Sequence, residues 1–146
     1  MKIEQLYESW KKDAKIDDLN YDRESAEIPT LHAKYIELLS TERSKLRALH
    51  LEKRLFSNRL RDYYLGNLNN PEDLKEINRE PYLQKIMKTE VQQYVDADTD
   101  IIKLDYKINI VQEKVEFLTE VVRSINNRSY TIKNAIEFLR LTGGPT

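Results

Sequence analysis

Residues 101–125 read IIKLDYKINIVQEKVEFLTEVVRSI. Within them Ile101, Leu104, Ile108, Val111, Val115, Leu118, Val122 and Ile125 follow one another at alternating steps of three and four. Those steps keep the apolar side chains on one stripe of an α-helix, and a mean repeat of 3.5 marks a helix packed lengthwise on another. Ile102, Ile110, Phe117 and Val121 fall off the stripe, more than one partner helix can cover. The surplus predicts either a roof formed by the terminal helices or burial against a second copy of the chain. The thin core of one monomer favours the second copy. Composition agrees with helices: 146 residues contain only three Gly and four Pro, so turn-formers are scarce.

The partner helix lies upstream. From Thr30, read as an N-cap after Pro29, a second seam runs through Tyr35, Leu39, Leu46, Leu49, Phe56, Leu60 and Tyr63 and stops at Gly66. Glu42 and Lys53 fill the two polar gaps in that pattern. The two long helices would be about 50 and 40 Å long, suited to pairing side by side. The expected fold is all-α: a long antiparallel helical hairpin with short N- and C-terminal helices, assembling into a homo-oligomer. A single domain divides into residues 1–29 (a short helix and acidic connector), 30–65 (the first long helix), 66–82 (a crossover loop), 83–126 (a long helical segment with a kink at VDADTD) and 128–141 (a terminal helix). The 101–125 seam suits the inside of the hairpin, which leaves 128–141 for subunit contacts.

Charge is distributed unevenly. Residues 43–61, RSKLRALHLEKRLFSNRLR, carry seven basic side chains and one acid, in a chain whose formal net charge is −1. Arg47, Arg54 and Arg61 stand seven apart, and Arg43, His50, Ser57 and Tyr64 take the neighbouring heptad position. Together they form a stripe opposite the apolar seam, with Lys45 and Arg59 on its other flank. Successive arginines rise about 10 Å, a spacing that a flexible phosphate chain can follow. The planar guanidinium fork suits an oxyanion, and Tyr64 offers a ring for stacking. A solvated helix face is the plainer reading, although such faces usually mix signs to gain i,i+4 pairs.

Other chemistries find little support. Without cysteine there is neither a disulfide framework nor a Cys-based metal site. DADTD at 96–100 imitates the opening of a calcium loop, but Ile101 stands where glycine is needed and Lys107 where glutamate is needed. A metal nuclease using Asp96, Asp98, Asp100 and Asp105 is explained more simply by a helix start and surface charge. His32 and His50 lack metal-ligand spacing, and no glycine-rich loop can cradle a phosphate. No catalytic constellation, cofactor or metal is expected. The sequence shows no signal peptide and no apolar run long enough for a membrane span, so a cytosolic protein is expected.

Several strings in order, KKDAKID (11–17), LHAKYIELL (31–39), RDYYLG (61–66), MKTEVQQYVDADTDIIKLDYK (87–107) and INNRSYTIKNAIEF (125–138), resemble the UvsY family, the recombination mediators of T4-like phages. The resemblance implies a non-catalytic protein of DNA recombination, repair and replication in the cytoplasm of the infected bacterial host. It implies binding to single-stranded DNA and a ring-like homo-oligomer, a hexamer or heptamer. It also implies help for a RecA-like (UvsX-like) recombinase in displacing the phage single-strand-binding protein. The family's DNA-contacting basic residues lie just upstream of Asp-Tyr-Tyr, where Arg59 and Arg61 flank Asn58 and Leu60 here. The stripe gives the candidate DNA-binding residues Arg43, Lys45, Arg47, Lys53, Arg54, Arg59, Arg61 and Tyr64. The alternative is a coiled-coil scaffold whose arginines meet acidic protein surfaces, its own segments 13–27 or 72–80 among them.

Overall fold

The computed structural model describes residues 1–143, which form seven α-helices and, among the described residues, no strand. These are α1 (Ile3–Asp13), α2 (Tyr21–Ala26), α3 (Ile28–Tyr64), α4 (Pro71–Glu76), α5 (Val91–Asp96), α6 (Thr99–Asn126) and α7 (Arg128–Leu141). The described residues divide into two packed units, one made of residues 1–44 and 111–143, the other of residues 45–110.

In the first unit α1 lies over both long helices. Leu6 is buried, Trp10 meets Tyr35 edge-on at 5.4 Å, and Tyr7 meets Phe117 at 4.7 Å. The seam of α6 is inside through Val111, Val115, Leu118 and Ile125, but the position before Ile125 falls on Val121, 2% exposed, with Val122 only half-buried. The reason lies one turn back: Phe117 is covered by α1, and Val121 shares its side of the helix. Part of the apolar surplus is therefore roofed inside the chain. Ile102 and Ile110 remain exposed.

The buried Tyr35 hydroxyl shares hydrogen bonds with Ser9 (3.1 Å) and Asp13 (2.8 Å), and burial pushes it up to about 12. Arg128, at the start of α7, is itself buried. It donates to the carbonyls of Ala14 and Lys15, each at 3.2 Å, and to Glu24 at 2.9 Å. One guanidinium thus ties α7 to the turn after α1 and to α2, and Ile132 is buried on the same helix.

The polar gaps in the α3 seam are matched by opposite charges on α6. Lys114 lies 3.8 Å from the buried Glu42 in the first unit, and Lys53 pairs with Asp105 at 2.6 Å in the second. In that second unit the partners of Lys53, Leu60 and Tyr64 are Asp105, Ile101 and Asp98 in turn, so α3 and α6 run antiparallel there.

Three segment boundaries differ from the sequence expectation. The first long helix begins at Ile28 rather than after a Thr30 cap, with Pro29 in its first turn, where the missing N–H costs nothing. The crossover contains α4: Asn70 caps it by accepting from the Glu72 N–H at 3.0 Å, and Pro71 starts it. Residues 83–90 are not helical, so the second helical segment begins at Val91. The break at Ala97 and Asp98 separates α5 from α6. There the Asp98 carboxylate accepts from the Asp100 N–H at 2.9 Å and caps the longer helix.

Candidate nucleic-acid interface

The second unit holds most of the basic stripe. One cluster of its core is Leu60, Val91, Val95 and Ile101, with Phe56 and Ile86 against it, and another is Tyr63, Leu68 and Leu74. Because Leu60 turns inward, its neighbours Arg59 and Arg61 emerge on opposite flanks. Arg54 is exposed and, among the described residues, makes no ion pair or side-chain hydrogen bond. The same holds for Arg43, on the part of α3 that belongs to the first unit. Lys45 and Arg47 are exposed.

Three further cations of the stripe have named partners. Lys53 is held by Asp105. Arg59 reaches into α4, where it pairs with Glu76 and lies 3.9 Å from Asp73. Arg61 donates to the Gln92 side chain at 2.5 Å, and Gln92 in turn donates to Asp96 at 2.8 Å. These contacts leave the three cations partly or fully exposed but occupied. The stripe is therefore two sets of charges, and Arg43 and Arg54 belong to the unengaged one.

Tyr64, expected to offer a ring for stacking, lies within a cluster of tyrosines. It is half-buried, its hydroxyl donates to Asp98 at 2.6 Å, and three other tyrosine rings pack around it: Tyr63 at 5.3 Å, Tyr82 at 4.9 Å and Tyr94 at 5.8 Å. Burial, then the hydrogen bond to Asp98, pushes the hydroxyl up to about 12. Asp98 also receives a two-pronged bond from Arg79, at 2.6 and 2.7 Å. Burial alone would raise this carboxyl, but the bonds from Arg79 and Tyr64 outweigh it and hold Asp98 below the ordinary aspartate range. Arg79 further binds Asp100 at 2.8 Å and lies over the Tyr63 ring at 5.3 Å.

Of the acids of DADTD, Asp98 and Asp100 are thus a helix cap and an arginine site, and Asp96 accepts from Gln92. Among the described residues, no group of three or more His, Asp or Glu side chains is placed to hold a metal ion. None of the helices among those residues is long and apolar enough to cross a membrane. Sequence reasoning missed Arg79, Tyr82 and Tyr94. Arg79 and Tyr82 lie in a stretch with no periodicity, and Tyr94 sits on a helix of only six residues, so no spacing marks any of them.

The fold and sequence match known proteins over nearly their whole length. A protein from Enterobacteria phage T4 described as "Recombination protein uvsY" is 26% identical over 134 residues, 92% of each chain. Two crystal structures of the bacteriophage T4 recombination mediator protein UvsY superpose with a TM-score of 0.82. One is 23% identical and aligns over 97% of this chain and 99% of that one; the other is 24% identical and aligns over 99% of both. At those identities the structural likeness is one of fold. Residues 9–145 match the family model described as "Recombination, repair and ssDNA binding protein UvsY". A match of that extent means that the chain belongs to the UvsY family of bacteriophage recombination proteins.

Proposed function

We propose that this chain is a recombination mediator that binds single-stranded DNA along the basic face of α3, with no catalytic step of its own. One observation carries the reading: an exposed row of Arg47 and Arg54 on one heptad position, with Arg43 beside it, on a helix stretch that has a single acid. A mobile phosphate chain needs such accessible guanidiniums, each able to donate two hydrogen bonds to one oxyanion. Lys45, Lys53, Arg59 and Arg61 extend the row, the last three after exchange of their contacts with Asp105, Glu76 and Gln92.

About five contacts per subunit give a salt slope near −3.5, so affinity falls roughly a hundredfold between 50 and 200 mM salt. One copy would hold DNA weakly, and a ring of six or seven turns later contacts into intramolecular ones. Tyr130, Phe138 and Leu141 of α7 are exposed apolar side chains suited to subunit contacts. DNA held extended on such a ring is partly freed from single-strand-binding protein, and a RecA-like, UvsX-like recombinase binds it from there in the cytoplasm of the infected host.

The test is binding of labelled oligo-dT across a salt series by the wild type and by Arg47→Ala with Arg54→Ala. The double variant should bind more weakly with a shallower slope while keeping its oligomeric size. An unchanged slope would remove α3 as the contact. A strand-exchange assay with recombinase and single-strand-binding protein, run with and without this chain, tests the mediator step.

The pairing of Arg59 with Asp73 and Glu76 favours one part of a second reading, a scaffold whose arginines meet acidic protein surfaces. A scaffold of that kind binds no oligo-dT even at low salt.

A further inference from the structure

We infer that Tyr82 and Tyr94 form a stacking site for unpaired bases of the strand whose phosphates α3 holds; the inference rests on the function proposed above and adds the bases to it.

The site follows from how α5 is packed. Val91 and Val95 turn inward against Leu60, at 4% and 0% exposure, which places Tyr94 off the buried face, 38% exposed. Tyr82 lies in the non-helical stretch before α5 and is half-buried. Both rings rest on Tyr64, at 4.9 and 5.8 Å between centroids, and Tyr82 also meets Tyr63 at 5.6 Å. The inner pair is tied down within the protein: Tyr64 binds Asp98, and the Tyr63 hydroxyl donates to the Glu80 carbonyl at 2.7 Å. The outer pair therefore sits on an aromatic base that is already fixed, and little side-chain freedom is lost when a further flat ring is added.

Charge and continuity point to a nucleobase as that ring. The stripe ends at Arg61, whose guanidinium is fastened to Gln92, two residues before Tyr94 on the same short helix. The same six-residue helix thus meets the last phosphate-binding side chain and presents an exposed ring. Lys85 and Lys88, both exposed, follow Tyr82 in the chain and add positive charge to the segment. Basic side chains that follow a backbone, joined to rings that accept any base, make a sequence-tolerant single-strand site.

The experiment compares oligo-dT with an abasic strand of equal length and equal phosphate number, using the full-length protein at one salt concentration and then across a salt series. The abasic strand should bind on the order of tenfold more weakly, with the same salt slope because the phosphate count is unchanged. Tyr82→Leu with Tyr94→Leu should abolish that difference, and Tyr82→Phe with Tyr94→Phe should retain it. Equal affinity of the wild type for both strands overturns the inference and leaves phosphate binding by α3 intact. Full discrimination by the leucine variant also overturns it, since the bases would then be read elsewhere or by a different face. Failure of the wild type to bind either strand removes the α3 reading, and this inference with it. If circular dichroism finds the leucine variant unfolded, the wild-type comparison and the phenylalanine variant decide.

Discussion

In the unit built from the two ends of the chain, Arg128 is 7% exposed and spends its guanidinium on two carbonyls and a carboxylate. In the other unit Arg54 stands in solvent with no ion pair among the described residues. Arg79, in that same unit, is held as firmly as Arg128: Asp98 takes both prongs of its fork. An arginine count does not separate these uses; the neighbouring acids do. Where carboxylates and carbonyls converge on one guanidinium, it is a fastening. Where the helix offers no acid one turn away, it stays available to an external anion.

The largest expected effect breaks the fastening side. Arg128→Ala strands Glu24 and leaves the Ala14 and Lys15 carbonyls without their donor, and Arg79→Ala strands Asp98, whose side chain is 2% exposed. Each should cost about 3 kcal/mol in denaturant unfolding. Arg54→Ala should leave the unfolding midpoint nearly unchanged. A large loss of stability in Arg54→Ala would erase the distinction.

Next comes the exposed row on α3. Arg47→Ala with Arg54→Ala should lower the salt slope of oligo-dT binding by about 1.4, two contacts' worth for a single strand. A third test uses acid. Asp98 is held below the ordinary aspartate value of 3.8, as is Asp13, whose bonds from Lys34 and Tyr35 outweigh the opposing effect of its burial. A depressed carboxyl stabilises the fold fully above its unfolded value. That stability is lost as pH falls from about 4 through the folded value. Asp98→Asn should make unfolding less sensitive to pH in that window, and an unchanged acid profile would remove Asp98 from this role.

The smallest effect sharpens the boundary between the two sets. Arg59 is partly exposed and paired to α4, so Asp73→Asn with Glu76→Gln should change stability by less than about 1 kcal/mol. Freeing Arg59 should steepen the salt slope by about 0.7. If the slope stays fixed, Arg59 lies off the DNA path even when unpaired.

Much of the helical frame was legible because its signal is periodic. The 101–125 stripe is the buried line of α6, apart from the exchange of Val122 for Val121, and that exchange depends on Tyr7 and Phe117, 110 residues apart. Glu42 and Lys53 were visible as gaps in a seam, while Lys114 and Asp105, the charges opposite them, could be matched only once the register was known. Residues 66–90 defeated periodic reading. α4 is six residues under an Asn cap, and residues 83–90 hold apolar side chains without helical structure. Short elements carry too few turns for spacing to register. The stripe itself was legible as charge, but its division into engaged and accessible members was not. The acids that engage it come from α4 and α6, and Gln92 comes from α5.

The non-helical residues 83–90 also determine where a protease can cut. Trypsin requires an unwound, accessible backbone on either side of a basic residue, which withholds every arginine of α3 and leaves Lys85 and Lys88, together with Lys15 after α1, as natural first scissions. A brief digest should therefore sever the chain between α4 and α5. Because Tyr82 stands three residues before Lys85, a bound oligonucleotide that reaches it would slow that cut, so a simple gel could serve as a footprint of where the strand lies.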